Sequence, residues 1–340
     1  MTATVANDAA AEASNLRAQT RLYQDGTCVS RDFPVAEIST HLADPASVVW
    51  LDLCRPTTAD FEMINAEFGL HELAVEDALQ ESQRPKLDRY ATHLFISAYA
   101  VALDSRGTRL DTSEIAVFLT DHALITVRKD DRFDMAAVVA RWDASADLAR
   151  NGVAFLLYGL LDHVVDGHFL AVQQLDEGIE ELEELLFDEQ RSQIQAVQRS
   201  SFDLRRNLVV LRRVALPMRE VLNSLLRRDL HVVNDAMTPY YQDVYDHVLR
   251  ATEWTESLRD LVATTVETNL IIQANRTNMI MKKVTSWAAI IAVPTAITGF
   301  YGQNLPYPGS GTQLGVVSST ALIASLSTVL YAAFKRKDWL

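Results

Sequence analysis

The sequence predicts an α/β N-terminal domain, then long α-helices, then two C-terminal transmembrane helices. Three observations predict it. Val284–Phe334 runs 51 residues without an Asp, Glu, Lys, Arg or His, in a chain that is 22% charged. Such a tract is too long for one membrane span and fits two joined by a turn. No Gly or Pro falls between Pro239 and Pro294, which predicts one unbroken helix of roughly 80 Å at about 1.5 Å per residue. Before residue 130, short β-rich runs alternate with helical ones.

Taken in order, residues 1–18 are expected to form a flexible tail. Asp8, Glu12 and Arg17 interrupt its Ala-rich run, so it lacks the apolar core of a signal peptide. Residues 19–150 read as a cytoplasmic α/β domain. Its strand-like runs are Ser47–Leu53, His93–Leu103, Ile115–Thr120 and Ala123–Arg128, rich in Val, Ile, Phe and Tyr. Thr57–Phe68 and Glu72–Gln80 have helical spacing, and Thr57-Thr58-Ala59-Asp60 offers cap chemistry to the first. Cys28 and Cys54 form no CxxC pair and read as free thiols of a reducing compartment.

Residues 151–238 read as cytoplasmic helical arms. Asp176–Glu189 holds eight carboxylates in fourteen residues, and the next segment reverses sign with Arg199, Arg205, Arg206, Arg212, Arg213 and Arg219. Two antiparallel helices could pair those faces, although solvated surfaces are the simpler expectation. Residues 239–283 form the stalk helix. Val244, Val248, Ala251, Leu258 and Val262 make an apolar seam on it, expected to pack against copies of itself.

Residues 284–301 are the first transmembrane helix, 302–313 an external loop, 314–334 the second transmembrane helix, and 335–340 a basic cytoplasmic tail. Arg276, Lys282 and Lys283 precede the tract, and Lys335, Arg336 and Lys337 follow it. The positive-inside rule then places both termini in the cytoplasm, with the protein in the cell (inner or plasma) membrane. Two helices enclose no watery path alone, so conduction would need several copies around an axis. Steps of three and four along the first span collect Asn278, Met281, Val284, Ala288 and Thr295, a face polar outside and apolar inside. An apolar constriction gates by dewetting, and a polar ring holds a hydrated ion. The second span has no strongly polar side chain and reads as the lipid-facing helix.

The function classes thin out from composition and motif. Net charge is −14, which argues against nucleic acid as a partner, since phosphate would be repelled. His71-Glu72 begins an HExxH but lacks the second histidine. Asp162, His163, Asp166 and His168 could be drawn as a metal cluster, yet the aspartates share one helical face and the histidines lie elsewhere, so solvated helix is expected. Gly309-Ser310-Gly311-Thr312 reads as flexible loop. No nucleophile–base pair or nucleotide loop argues for an enzyme.

Tyr301-Gly302-Gln303-Asn304, after a span bearing Pro294 and Thr295, is similar to the Tyr-Gly-Met-Asn signature of CorA-type divalent-cation transporters. Val75-Glu76-Asp77-Ala78-Leu79 with Gln83-Arg84-Pro85-Lys86 resembles that family's N-terminal block. Asp243-Val244-Tyr245-Asp246-His247 and Asn275-Arg276-Thr277-Asn278 resemble its stalk, and the ending Lys335–Leu340 its basic tail. The resemblance implies a funnel-shaped homopentamer in a lipid bilayer with a central pore. It carries Mg²⁺ inward, with Co²⁺ and Ni²⁺ admitted, and has no prosthetic group. Mg²⁺ would be both substrate and regulatory ligand. It further implies Gly302, Gln303 and Asn304 at the outer selectivity ring and Thr295 in a second polar ring. Asn278, Met281 and Val284 would form the inner constriction, with Asp77 and Asp243 sharing a regulatory cation between subunits. Gln303 departs from the usual Met, and Leu305–Gln313 has no carboxylate where relatives often carry Glu. Both departures leave room for a Zn²⁺ transporter of the same architecture, with or without proton coupling. A membrane-anchored, non-conducting sensor would leave Thr295 and Asn304 without a role.

Overall fold

The computed structural model describes residues 18–80, 84–187, 194–303, 309 and 311–340. Within them the chain falls into two compact units, Met1–Ala263 and Thr264–Leu340.

The first unit is built on a seven-stranded mixed sheet. Its strands are β1 (Ala18–Gln24), β2 (Thr27–Arg31), β3 (Ser47–Cys54), β4 (Lys86–Arg89), β5 (Leu94–Leu103), β6 (Leu110–Leu119) and β7 (Ala123–Arg128). They lie in the order β2-β1-β3-β7-β6-β5-β4, with β3 and β7 parallel and the other neighbours antiparallel. Both faces are covered, which is why the strand sequences read as continuous apolar runs. Alternate side chains enter separate cores. Leu94, Ile96, Ile115, Val117 and Leu124 face one, while Leu51, Leu53, Phe95, Phe118 and Ile125 face the other.

Three short helices, α1 (Ile38–Leu42), α2 (Thr58–Phe68) and α3 (Glu72–Leu79), supply the second of these cores through Ile38, Phe61, Ile64 and Ala74. The expected cap chemistry of α2 is present: Thr57 N–H donates to Asp60 Oδ2 at 2.6 Å, and Asp60 N–H to Thr57 Oγ1 at 3.4 Å. Gly69 ends the helix at φ +58°, a conformation glycine adopts without penalty. His71, the start of the discarded protease motif, caps α3 by accepting Leu73 N–H on Nδ1 at 3.2 Å.

The other face is covered by α4 (Met135–Ala144), α5 (Ala146–Ala149), α6 (Val153–Phe187), α7 (Ile194–Leu225) and the beginning of α8 (Thr238–Tyr301). Trp142 from α4 meets Trp50 edge-on, centroids 5.1 Å apart, and donates its indole N–H to Leu156 O at 3.2 Å. A side chain at residue 159 would strike that indole at 2.5 Å, so only glycine fits there.

Two expectations are corrected. Val244, Val248, Ala251, Leu258 and Val262 are all 3% exposed or less within one chain. Val244 and Val248 join the core formed by α6 and α7. This seam therefore finds its partner inside its own subunit. The uncovered apolar residues lie further along α8, from Leu270 and Ile271 to Met281. Second, Asp162 and Asp166 do not stand free on a solvated face, because Arg141 pairs with both. The carboxylates of α6 up to Glu184, by contrast, make no ion pair with α7 arginines among the described residues, in line with solvated faces. Asp188 and Glu189 lie outside the described residues.

His168 on α6 is wholly buried, with Nε2 2.7 Å from Tyr99 O. Burial pulls it down to about 4, partly offset by the Tyr99 carbonyl. A histidine depressed on folding binds more protons unfolded, so stability is lost as pH falls from 6.5 towards 4. Melting midpoints measured across that window should fall, by up to about 3 kcal/mol of stability from this group. His168→Gln, which keeps an N–H donor for Tyr99 O, should flatten the dependence.

The second unit contains the end of α8 and α9 (Gln313–Arg336). Among the described residues three helices are long and apolar enough to cross a membrane: α6, α8 and α9. The apolar window of α6 is 56% buried in the protein, against 6% and 0% for the other two. Helix α6 is thus a core helix, whereas α8 and α9 leave their apolar surface uncovered.

Candidate conduction face and carboxylate cluster

In the second unit, α8 has two unlike faces. Ser286 is wholly buried, and Ala289, Ile290, Val293, Pro294 and Ile297 are half-buried, at helical spacing. At about 3.6 residues per turn, Met281, Val284, Ala288 and Thr295 fall on the opposite side, with Asn278 at its flank. All five are exposed within one chain, Met281 at 58% and Val284 at 59%. Thr295 Oγ1 donates to Ile291 O at 3.0 Å and Thr298 Oγ1 to Pro294 O at 2.8 Å. Both hydroxyl protons are therefore committed to the helix, which leaves oxygen lone pairs directed outward as acceptors. The helix runs through Pro294 to Tyr301. Gly302 follows in a tight close, its N–H donating to Thr298 O at 2.8 Å, and Gln303 is exposed. A Cβ at residue 302 would meet Thr298 O at 3.0 Å, so glycine suits the exit from the helix. Asn304 lies outside the described residues.

Asp77 sits on α3, half-buried, and receives Lys86 Nζ at 2.6 Å; Asp88 holds the same ammonium at 2.9 Å. Burial alone would lower Lys86, but those two carboxylates raise it, so it stays charged. Asp243 on α8 is exposed, with Oδ2 3.9 Å from His247 Nε2. No contact joins Asp77 to Asp243 within one chain among the described residues.

A group that sequence reading dismissed is assembled here. Arg141 from α4 forks onto α6, Nη1 to Asp162 Oδ2 at 2.6 Å and Nη2 to Asp166 Oδ2 at 2.5 Å. His247 arrives from α8, so that ligand atoms of Asp162, Asp166 and His247 lie within 4.8 Å of one another. Burial raises Asp162 first, and Asp166 raises it further; Arg141 and His247 oppose them. Its neighbours also include Asp243, which adds to the rise. Two carboxylates and an imidazole form a donor set suited to a divalent cation, with Arg141 as the competing charge. His163 takes no part and packs its ring on Phe133 at 5.5 Å. The i, i+4 spacing of Asp162 and Asp166 was visible in sequence, but nothing local announced Arg141 or His247.

A model of the family described as CorA-like Mg²⁺ transporter protein matches residues 45–336. The chain belongs to this family. Its members are divalent-cation transporters. The chain is 30% identical over 316 residues to the cobalt/magnesium transport protein CorA of Thermotoga maritima, covering 91% of this chain and 89% of that protein. It is 25% identical over 309 residues to the zinc transport protein ZntB of Yersinia pseudotuberculosis, covering 88% and 90%. Among solved structures it resembles the complete CorA magnesium transporter of Methanocaldococcus jannaschii, with TM-score 0.71, 22% identity, and 86% and 92% of the two chains covered. The full-length CmaX protein is similar at TM-score 0.70 and 21% identity, covering 94% and 96%. These likenesses share the fold seen in this CorA-family chain: an α/β N-terminal domain, long helices and apolar C-terminal helices.

Proposed function

We propose that this chain is the subunit of a homopentameric cell-membrane channel that admits hydrated Mg²⁺, with Co²⁺ and Ni²⁺ as further substrates. The observation that carries the reading is the exposed face Met281–Val284–Ala288–Thr295, opposite the shielded face of the same helix. Two spans leave that face without cover in a single chain, and copies around an axis would give it water. Mg²⁺ sheds its hydration shell reluctantly. Amide oxygens of Asn304 and Gln303 at the mouth, then Thr295, would hydrogen-bond the shell without trapping the ion as carboxylates do. Moving two charges down 100 mV releases about 4.6 kcal/mol, so no nucleotide is required. Basic flanks at Lys282–Lys283 and Lys335–Lys337 support cytoplasmic termini.

Gating follows from linkage. A cation shared by Asp77 of one subunit and Asp243 of the next would favour a closed, symmetric assembly, and its loss would free the stalks. Zn²⁺ is the second reading, favoured by the zinc-transporting relative and by the imidazole of His247 in the carboxylate cluster. Reconstituted vesicles offered Mg²⁺, Co²⁺, Ni²⁺ and Zn²⁺ separately decide the order. Uptake of Mg²⁺ that falls with Asn304→Ala, and that loses inhibition by internal Mg²⁺ in Asp77→Asn/Asp243→Asn, is expected. Selective Zn²⁺ uptake would favour the second reading, and no flux of any ion would refute both.

A further inference from the structure

A cavity of about 220 Å³ opens in the first unit between the sheet and α7, lined by Arg84, Tyr99, Thr112 and Arg213 over apolar walls from Pro85, Val210 and Val214. Nothing in the transport mechanism uses it. Its two guanidiniums have no carboxylate partner among the described residues. Other arginines of this region do: Arg212 holds Glu256, Arg219 holds Glu220, and Arg132 holds Asp130.

The third feature is Tyr99. It is 8% exposed, and its buried hydroxyl makes no hydrogen bond of normal geometry, although Glu114 and Arg213 are both close enough to act on it. Burial first, then Glu114, pushes the phenol up, so it stays a neutral donor. A buried donor without an acceptor costs stability, which an incoming acceptor would restore. Glu114 does not cancel the local charge, because Lys129 Nζ binds its Oε2 at 2.7 Å. Arg84 and Arg213 therefore remain as a net positive pair, against the chain's overall −14.

We propose that this cavity is a binding site for a phosphate-class oxyanion, gripped by Arg84 and Arg213 and by the Tyr99 hydroxyl. Tetrahedral oxyanions match the fork geometry of guanidinium and accept from a phenol at the same time. The volume holds one phosphoryl group and leaves the edge open, past Arg84 and Pro85, into a neighbouring groove lined by Lys86 and Arg219. Free phosphate and the terminal phosphoryl of a nucleotide share this chemistry.

The test is isothermal titration of the full chain in detergent, free of divalent cations, with inorganic phosphate and separately with ADP. Arg84→Ala and Arg213→Ala should each weaken binding by about tenfold or more. Tyr99→Phe should weaken it without lowering the melting temperature of the unliganded protein, and Arg205→Ala/Arg206→Ala, on exposed arginines outside the cavity, should leave it intact. Tighter binding of ADP would identify a nucleotide as the source; equal binding would identify the phosphoryl group alone. The proposal is overturned by no binding, by equal competition from chloride at matched ionic strength, or by binding that ignores Arg84 and Arg213.

Discussion

Ala288→Phe is expected to reduce cation uptake to the level of protein-free vesicles, while Ala321→Phe on α9 leaves uptake near wild type. Both alanines are exposed in a single chain, so neither change overpacks a subunit core. They differ in what the assembled protein would place against them. Ala288 sits between Val284 and Thr295 on the α8 face opposite Ser286, and a phenyl ring there would be repeated in every copy around the axis. An apolar plug of that kind excludes water, and with it a hydrated ion. Ala321 belongs to the stretch 314–334 of α9, which has no strongly polar side chain and where a phenylalanine is expected to face lipid comfortably. Uptake by vesicles carrying equal amounts of each variant checks the contrast. Equal loss in both would mean that bulk on either helix disturbs packing, and the α8 face would lose its special standing.

A second large effect is expected within the first unit. Asp52 on β3 is 1% exposed, and Arg128 on β7 reaches it with Nη2 at 2.5 Å and Nε at 3.1 Å. Thr126 Oγ1 donates to the same carboxylate at 2.7 Å, and Trp50 donates to Thr126 at 3.2 Å. This chain of polar contacts crosses the parallel β3–β7 pair of the sheet. Burial works against the charge on Arg128, and Asp52 outweighs it. Asp52→Ala would strand a buried guanidinium and should cost about 3–5 kcal/mol. Thr126→Val, which removes one neutral donor, should cost only about 1–2 kcal/mol. Replacing the pair together, Asp52→Leu/Arg128→Met, should recover most of the loss, because no buried charge is left alone. Melting of the purified protein ranks the three. If Asp52→Ala melts no earlier than Thr126→Val, the pair is not what holds β3 to β7.

What was legible in sequence tracks how local the cause is. Ser47–Leu53 and Ala123–Arg128 announced themselves because buried strands concentrate branched and aromatic residues, and the observed β3 and β7 match them within a residue. The cap of α2 was readable because a capping box lies within four consecutive residues. Strand β6 begins at Leu110, five residues before the expected start, since Asp111 and Thr112 look like loop until the sheet supplies their neighbours. Strands β1, β2 and β4 were missed for a related reason: their polar residues, Thr20, Arg21 and Lys86 among them, gain their partners only in the fold. Arg21, for example, meets Asp143 at 2.7 Å.

The candidate site divides the same way. The face Met281–Thr295 was available from helical periodicity alone. The cluster at Asp162 and Asp166 was not, because Arg141 and His247 arrive from two other helices and only tertiary packing brings them together. The stalk seam shows the opposite error. Val244–Val262 does have a partner, but sequence periodicity cannot say whether the partner is another chain or the same one.

The most direct test of the account is aqueous accessibility of residue 288. In a Cys28→Ser/Cys54→Ser background, Ala288→Cys in reconstituted, transporting protein should react with a small cationic thiol reagent and lose uptake as it does so. Cysteine at Ala321 should react poorly with the same reagent and keep its flux. A residue 288 thiol that resists the aqueous reagent, yet is labelled from within the acyl chains, would show the helix face turned towards lipid and contradict the proposed path.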